Sequence, residues 1–117
     1  MHSYKDLIVW KKSVLLVKEI YNISRSFPAE EKFGLTNQMR RCSVSIASNI
    51  AEGYARKSKK ENAQFINISY GSAVELETQL IIAEQLNFFD RGQSSPVYSL
   101  LTEVLKMLYV YREKLYQ

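Results

Sequence analysis

FGLTNQMRRCSVSIASNIAEGYARKSKKE, residues 33–61, joins a helix face of small side chains to a dense run of positive charge. Leu35, Met39, Cys42, Ile46, Ile50 and Gly53 recur at spacings of three and four, the period of one face of an α-helix. Ser43, Ser45, Ala47, Ser48 and Ala51 surround that stripe and leave room for a second backbone to approach. Gly34 breaks the turn before it, so the spacing predicts a helix over about 35–54. Ahead of it, Pro28-Ala29-Glu30-Glu31 suits a first helical turn, with carboxylates near the positive dipole end. Behind it, Ser58-Lys59-Lys60-Glu61 is a capping box that opens a new helix.

Outward from this stretch the pattern stays helical. The third helix runs to about Leu86, with Phe65, Ile68, Ser72, Leu76, Leu80 and Ala83 on one face. Gly71 inside it costs about 1 kcal/mol relative to alanine, which points to a packing reason. The first helix is expected from Asp6 to about Ser26, capped by Ser3 and lined by Leu7, Trp10, Val14, Val17, Tyr21 and Ser24. Asn87 to Ser95 is expected as a loop, with Ser95-Pro96 opening a fourth helix lined by Val97, Leu101, Val104, Leu108, Tyr111 and Leu115. No alternating strand pattern competes. Short connections between long amphipathic helices predict an all-α fold, an antiparallel up-down-up-down four-helix bundle over the single domain 1–117.

Two helices are more apolar than a lone bundle needs. In the first, the rows Leu7/Val14/Tyr21, Trp10/Val17, Val9/Leu16/Ile23 and Ile20/Phe27 span roughly 160°, against the stripe of about 100° that faces a core. Ile8 and Leu15 add a further row, and Leu105, Tyr98, Tyr109 and Tyr116 do the same on the fourth helix. Such a surplus marks an interface, so self-association through Ile8, Leu15, Leu105 and Tyr109 is expected.

The net charge is +4, but its placement matters more. Arg40, Arg41, Arg56, Lys57, Lys59 and Lys60 face only Glu52 within residues 40–60, a local +5 that leaves −1 for the remainder. A solvated helix–helix turn is one reading of such a run. A phosphate-binding surface is the other, since arginine grips phosphate bidentately and lysine supplies a point charge. Tyr54 adjoins the run and could stack on an unpaired base.

Ser45, Ser48, Asn49 and Glu52 lie three or four apart on one polar seam, with Glu75 a partner from the next helix. Small polar groups among Ile46, Ile50 and Ala51 are expected to be half buried and paired, which favours a structural role. A Glu52–Glu75 acid pair has no support beyond residue type, because catalytic carboxylates need a pocket and distinct environments. No nucleophile elbow, phosphate loop or HExxH pattern is present. His2 and the single Cys42 cannot assemble a metal site, and no cofactor is implied. The chain is therefore expected to be no enzyme. The lone cysteine, the charged first 27 residues and the lack of a long apolar run lead to the expectation of a cytoplasmic protein without membrane association.

DLIVWKKS at 6–13, FPAEEKFGLTNQMRR at 27–41, SIASNIAEG at 45–53, the basic region at Arg56 and GSAVELETQL at 71–80 carry a resemblance across nearly the whole chain. The sequence resembles the 23S rRNA intervening-sequence protein family, also called the four-helix bundle protein family. Cys42 and Ser43 stand where that family often has alanines. The resemblance implies a four-helix bundle assembled into a ring-like homopentamer. It extends to the accessory proteins of diversity-generating retroelements, which look like basic pentamers that bind nucleic acid and a reverse transcriptase. RNA or DNA is thus the partner expected beside the chain itself. A scaffold that holds a protein partner, with no nucleic-acid activity, is the competing expectation.

Overall fold

The computed structural model describes residues 3–117, apart from the side chain of Arg91. His2 lies outside the described residues. Four helices account for most of the chain: α1 (Ile8–Ser24), α2 (Leu35–Tyr54), α3 (Lys59–Gln85) and α4 (Arg91–Leu115). Among the described residues there is no strand. Helix α1 packs on α2 and α4, and α3 also packs on α2 and α4, while α1 and α3 stand diagonally across the core with no Cα atoms within 8 Å of each other. The four helices form a bundle around one core that includes Leu16, Ile20, Ile46, Ile66, Leu76 and Leu101.

Helix α2 has the bounds its sequence predicts. Its first amide gains a side-chain acceptor, since Leu35 N–H donates to Glu31 Oε1 at 3.2 Å. A carboxylate there also meets the positive end of the helix dipole. Thr36, Met39, Cys42, Ser43, Ile46, Ala47, Ile50 and Gly53 are buried, so the small residues do face a neighbour. That neighbour is α3, and contact is close enough for Ser69 Oγ to donate to the Ile46 carbonyl at 2.8 Å. A Cβ at Gly53 would fall 2.8 Å from Asn62 Oδ1 and 3.0 Å from Phe65 Cβ. Only glycine fits there without a shift.

Expectations for three of the helices need correction. In α1 the buried residues are Val9, Ser13, Leu16, Ile20, Ile23 and Ser24. Leu7, Trp10, Val14 and Val17 are only half buried and Tyr21 is exposed. The apolar arc is too wide for periodicity to locate its centre, and contact with α2 and α4 decides it. Ser3 caps a 3-10 turn at Tyr4–Asp6, through Lys5 N–H, rather than α1, which follows the extended residue Leu7. In the first half of α3 the core face is Ile66, Ser69 and Ala73, one residue on from Phe65, Ile68 and Ser72. Gly71 is exposed and a Cβ there would meet nothing within 4 Å, so the fold of one chain gives it no packing reason.

The third correction concerns α4, which begins at Arg91 and not at Ser95-Pro96. Asp90 Oδ1 accepts Gln93 N–H at 3.1 Å while Gln93 Oε1 accepts Asp90 N–H at 3.2 Å, a complete capping box. Pro96 sits in the second turn, where its missing N–H deprives only the carbonyl of Gly92. Both residues are exposed, so water can serve that carbonyl. The α3–α4 connection is therefore short. Asn87 takes φ 61°, Phe88 N–H donates to Ala83 O and Asn87 N–H to Glu84 O, which together form a Schellman motif. Phe88 and Phe89 then stack near Phe27, with centroids 5.4 and 6.0 Å away, and close that end of the bundle.

Candidate nucleic-acid interface

The opposite end of α3 carries the basic turn. Helix α2 stops at Tyr54, and Arg56 N–H returns to the Gly53 carbonyl at 3.1 Å. Ser58 opens α3 by accepting Glu61 N–H at 3.1 Å, and its hydroxyl donates to Glu61 Oε1 at 3.2 Å. The carboxylate thus answers the capping hydroxyl instead of the Ser58 amide. Arg56, Lys57, Lys59 and Lys60 are all exposed around this cap. The Arg56 guanidinium lies 4.6 Å over the ring of Phe65, which holds it flat against α3. Among the described residues, none of these four cations is ion-paired.

The last turns of α4 come to the same end. Lys59 and Lys60 share a shallow depression with Gln64, Asn67, Leu115 and Tyr116. A larger groove of about 760 Å³ brings Lys59 together with Lys106 and Lys114. Lys106 and Lys114 were not singled out from the sequence. Their spacing of eight puts them on one helix face, but only the return of α4 beside the α2–α3 turn adds them to its charge. Tyr54 is half buried at the base of the turn, close to Tyr111, whose hydroxyl bonds Asn62. Burial pushes the Tyr111 hydroxyl pKa above its ordinary value, with a smaller upward push from Tyr54.

Arg40 and Arg41 do not share this site. Arg40 lies fourteen residues before the end of α2 at Tyr54, about 21 Å along the helix from the basic turn. Arg40 Nε donates to Ser24 Oγ at 2.9 Å and its guanidinium lies 4.6 Å over the Tyr21 ring. It braces α2 against α1, with no bond to Glu30 or Glu31. Arg41 is exposed.

The polar seam divides too. Ser45 Oγ lies 3.0 Å from Ser72 Oγ, and Asn49 Nδ2 donates to the Ser45 carbonyl at 2.8 Å and to Ser45 Oγ at 3.0 Å. Ser48, Glu52 and Glu75 are exposed rather than half buried. Glu75 accepts from Gln79 at 3.4 Å and faces Cys42, ten residues along α2 from Glu52, or about 15 Å. The two carboxylates therefore share no pocket. Cys42 is buried, its Sγ donates to the Ser72 carbonyl at 3.0 Å, and burial, then Glu75, pushes its thiol pKa up to about 12. Among the described residues no three metal-binding side chains converge. No described helix is long and apolar enough to cross a membrane.

Of the residues expected at a subunit contact, Ile8, Leu15 and Tyr109 are exposed at 60%, 46% and 49%. Leu105 is half buried beside Tyr70 and Tyr109.

Comparison with known proteins bears on this arrangement. The family described as 23S rRNA-intervening sequence protein matches residues 5–110. A crystal structure of a protein of unknown function from the S23 ribosomal protein family of Bacteroides thetaiotaomicron is similar at TM-score 0.80 and 24% identity. The alignment covers 90% of this chain and 98% of that one. It supports the fold alone. No match is found among functionally curated proteins.

Proposed function

The chain belongs to the 23S rRNA-intervening sequence protein family, and from that premise we propose that it is a non-enzymatic, self-associating protein that binds RNA or other nucleic acid. The helices run up, down, up and down, and the α2–α3 turn is the binding surface. The observation that carries this reading is the group of unpaired cations Arg56, Lys57, Lys59 and Lys60 at one end of the bundle, with Lys114 nearby. Exposed charge of this kind binds phosphate by releasing counterions, which needs no pocket. The exposed apolar rows at Ile8, Leu15 and Tyr109 support assembly, and a ring would repeat the basic turn around one rim. Repetition raises avidity without any new contact. The sequence resemblance to pentamers and to retroelement accessory proteins supports five copies and a nucleic-acid partner. Arg40 takes no part, since it is committed to Ser24 and Tyr21. A cytoplasmic location fits a protein with one buried, reduced cysteine.

The test is replacement of Arg56, Lys57, Lys59 and Lys60 by alanine together. Affinity for a labelled structured RNA is expected to fall at least tenfold, with helicity and assembly mass unchanged. Unaltered binding would place the surface elsewhere. No binding by the intact assembly would favour a scaffold for a protein partner.

A further inference from the structure

Beside the basic turn, where the last turns of α4 lie along α3, Asn67 ties two other side chains together. Its Nδ2 donates to the Tyr116 hydroxyl at 2.9 Å, and its Oδ1 accepts from Arg112 Nη1 at 3.4 Å. The Arg112 guanidinium lies 4.4 Å over the Tyr70 ring, which holds its plane against α3. Tyr116 is thus tethered through its hydroxyl, yet it remains 61% exposed. A ring already held in place loses less freedom when a flat ligand lands on it than a mobile one does.

Phosphate-binding charge stands next to this ring. Lys59 and Lys60 share with Asn67 and Tyr116 the depression noted above, of about 470 Å³, and no carboxylate side chain lines it. Lys60 and Asn67 are seven residues apart on α3, so the charge and the tethered ring lie about 10 Å apart along the helix. Tyr54, the aromatic that adjoins the turn in sequence, is less suited to stacking. It is half buried close to Tyr111.

We infer that this corner takes an unpaired nucleotide of a single-stranded nucleic acid, with its base stacked on Tyr116 and its flanking phosphates on Lys59 and Lys60. Arg112 adds charge beside the ring. Bases inside a duplex are stacked on one another and offer no free face, so a duplex engages the lysines alone. A single strand engages both the lysines and the ring, and stacking on an aromatic ring accepts any base. This rests on the nucleic-acid binding proposed above and specifies the substrate class as unpaired strand.

The test compares the natural chain with Tyr116→Ala and Tyr116→Phe, with assembly mass read by light scattering on each sample. The probes are a labelled single-stranded RNA, an abasic strand of the same length and charge, and a duplex RNA, all at one low salt concentration. The natural chain is expected to bind the base-bearing strand at least about fivefold more tightly than the abasic one. Tyr116→Ala is expected to lose that margin while abasic and duplex binding stay unchanged, because the lysines remain. Tyr116→Phe keeps the ring and is expected to retain most of the margin. Equal affinity of the natural chain for the two strands, or a margin untouched by Tyr116→Ala, would overturn the assignment and leave the basic turn standing. A fall in assembly mass with Tyr116→Ala would overturn it too, by placing the ring in a subunit contact. If no probe binds the natural chain, the nucleic-acid reading fails and this one falls with it.

Discussion

Gly53 and Gly71 are both helical glycines, yet their surroundings differ completely. At Gly53 an added methyl would press on Asn62 and Phe65 at 3.0 Å or less, where α2 meets α3. Gly53→Ala is expected to cost about 1–3 kcal/mol in a denaturation experiment, as overpacking does. Gly71→Ala meets nothing and is expected to gain up to about 1 kcal/mol from helix propensity. The sequence makes the first legible, because Gly53 continues the Cys42/Ile46/Ile50 stripe. It misleads on the second, since an isolated glycine signals packing only if something packs there. Cys42 gives a pH-dependent prediction. Its folded pKa near 12 exceeds the unfolded value near 9.0, so its contribution is fully present below pH 9 and lost as pH rises towards 12. In that window the unfolded chain releases the thiol proton and the folded chain keeps it. Cys42→Ala is expected to flatten this alkaline slope in urea denaturation run at several pH values. A slope unchanged by the substitution would assign the loss to other groups.

At the scale of elements, the ends of helices were legible where one residue has one use. Gly34 and Ser58 bound α2 and open α3 as their chemistry dictates. The start of α4 was not, because Ser95-Pro96 reads as an opening and Gly92 makes the residues before it read as loop. The reciprocal bonds of Asp90 and Gln93 open the helix earlier. Asp90→Ala is expected to lose about 1 kcal/mol, the ordinary worth of an N-cap, and Ser95→Ala almost nothing. A cost at Ser95 equal to that at Asp90 would contradict the observed start. The rotation of α3 has a related cause. Ile68, Val74, Ile82 and Leu86 put apolar groups on its outer side, so spacing alone cannot choose the inner one. In α1 the same ambiguity moves the core to Val9, Leu16 and Ile23.

For the whole molecule, charge is sorted in a way that no single helix shows. Cations gather at the α2–α3 turn and along the α1–α4 groove, while residues 61–90 are purely acidic. The four-helix fold was legible from periodicity and short connections, and half the candidate site from the run Arg56–Lys60. Arg40 and Arg41 are near it in sequence, yet α2 carries them about 20 Å from its end beside the turn. Lys106 and Lys114 were missed because their proximity exists only once α4 packs back beside the turn. The central claim is that this end of the assembled protein binds nucleic acid through phosphate charge. The direct measurement is fluorescence anisotropy of labelled structured RNA, single-stranded RNA and duplex DNA across a salt series, with assembly mass read on the same sample. Four cations per engaged subunit predict a log–log slope of about −3 or steeper for duplex probes. No binding at low salt by a correctly assembled oligomer, or binding indifferent to salt, would contradict the claim.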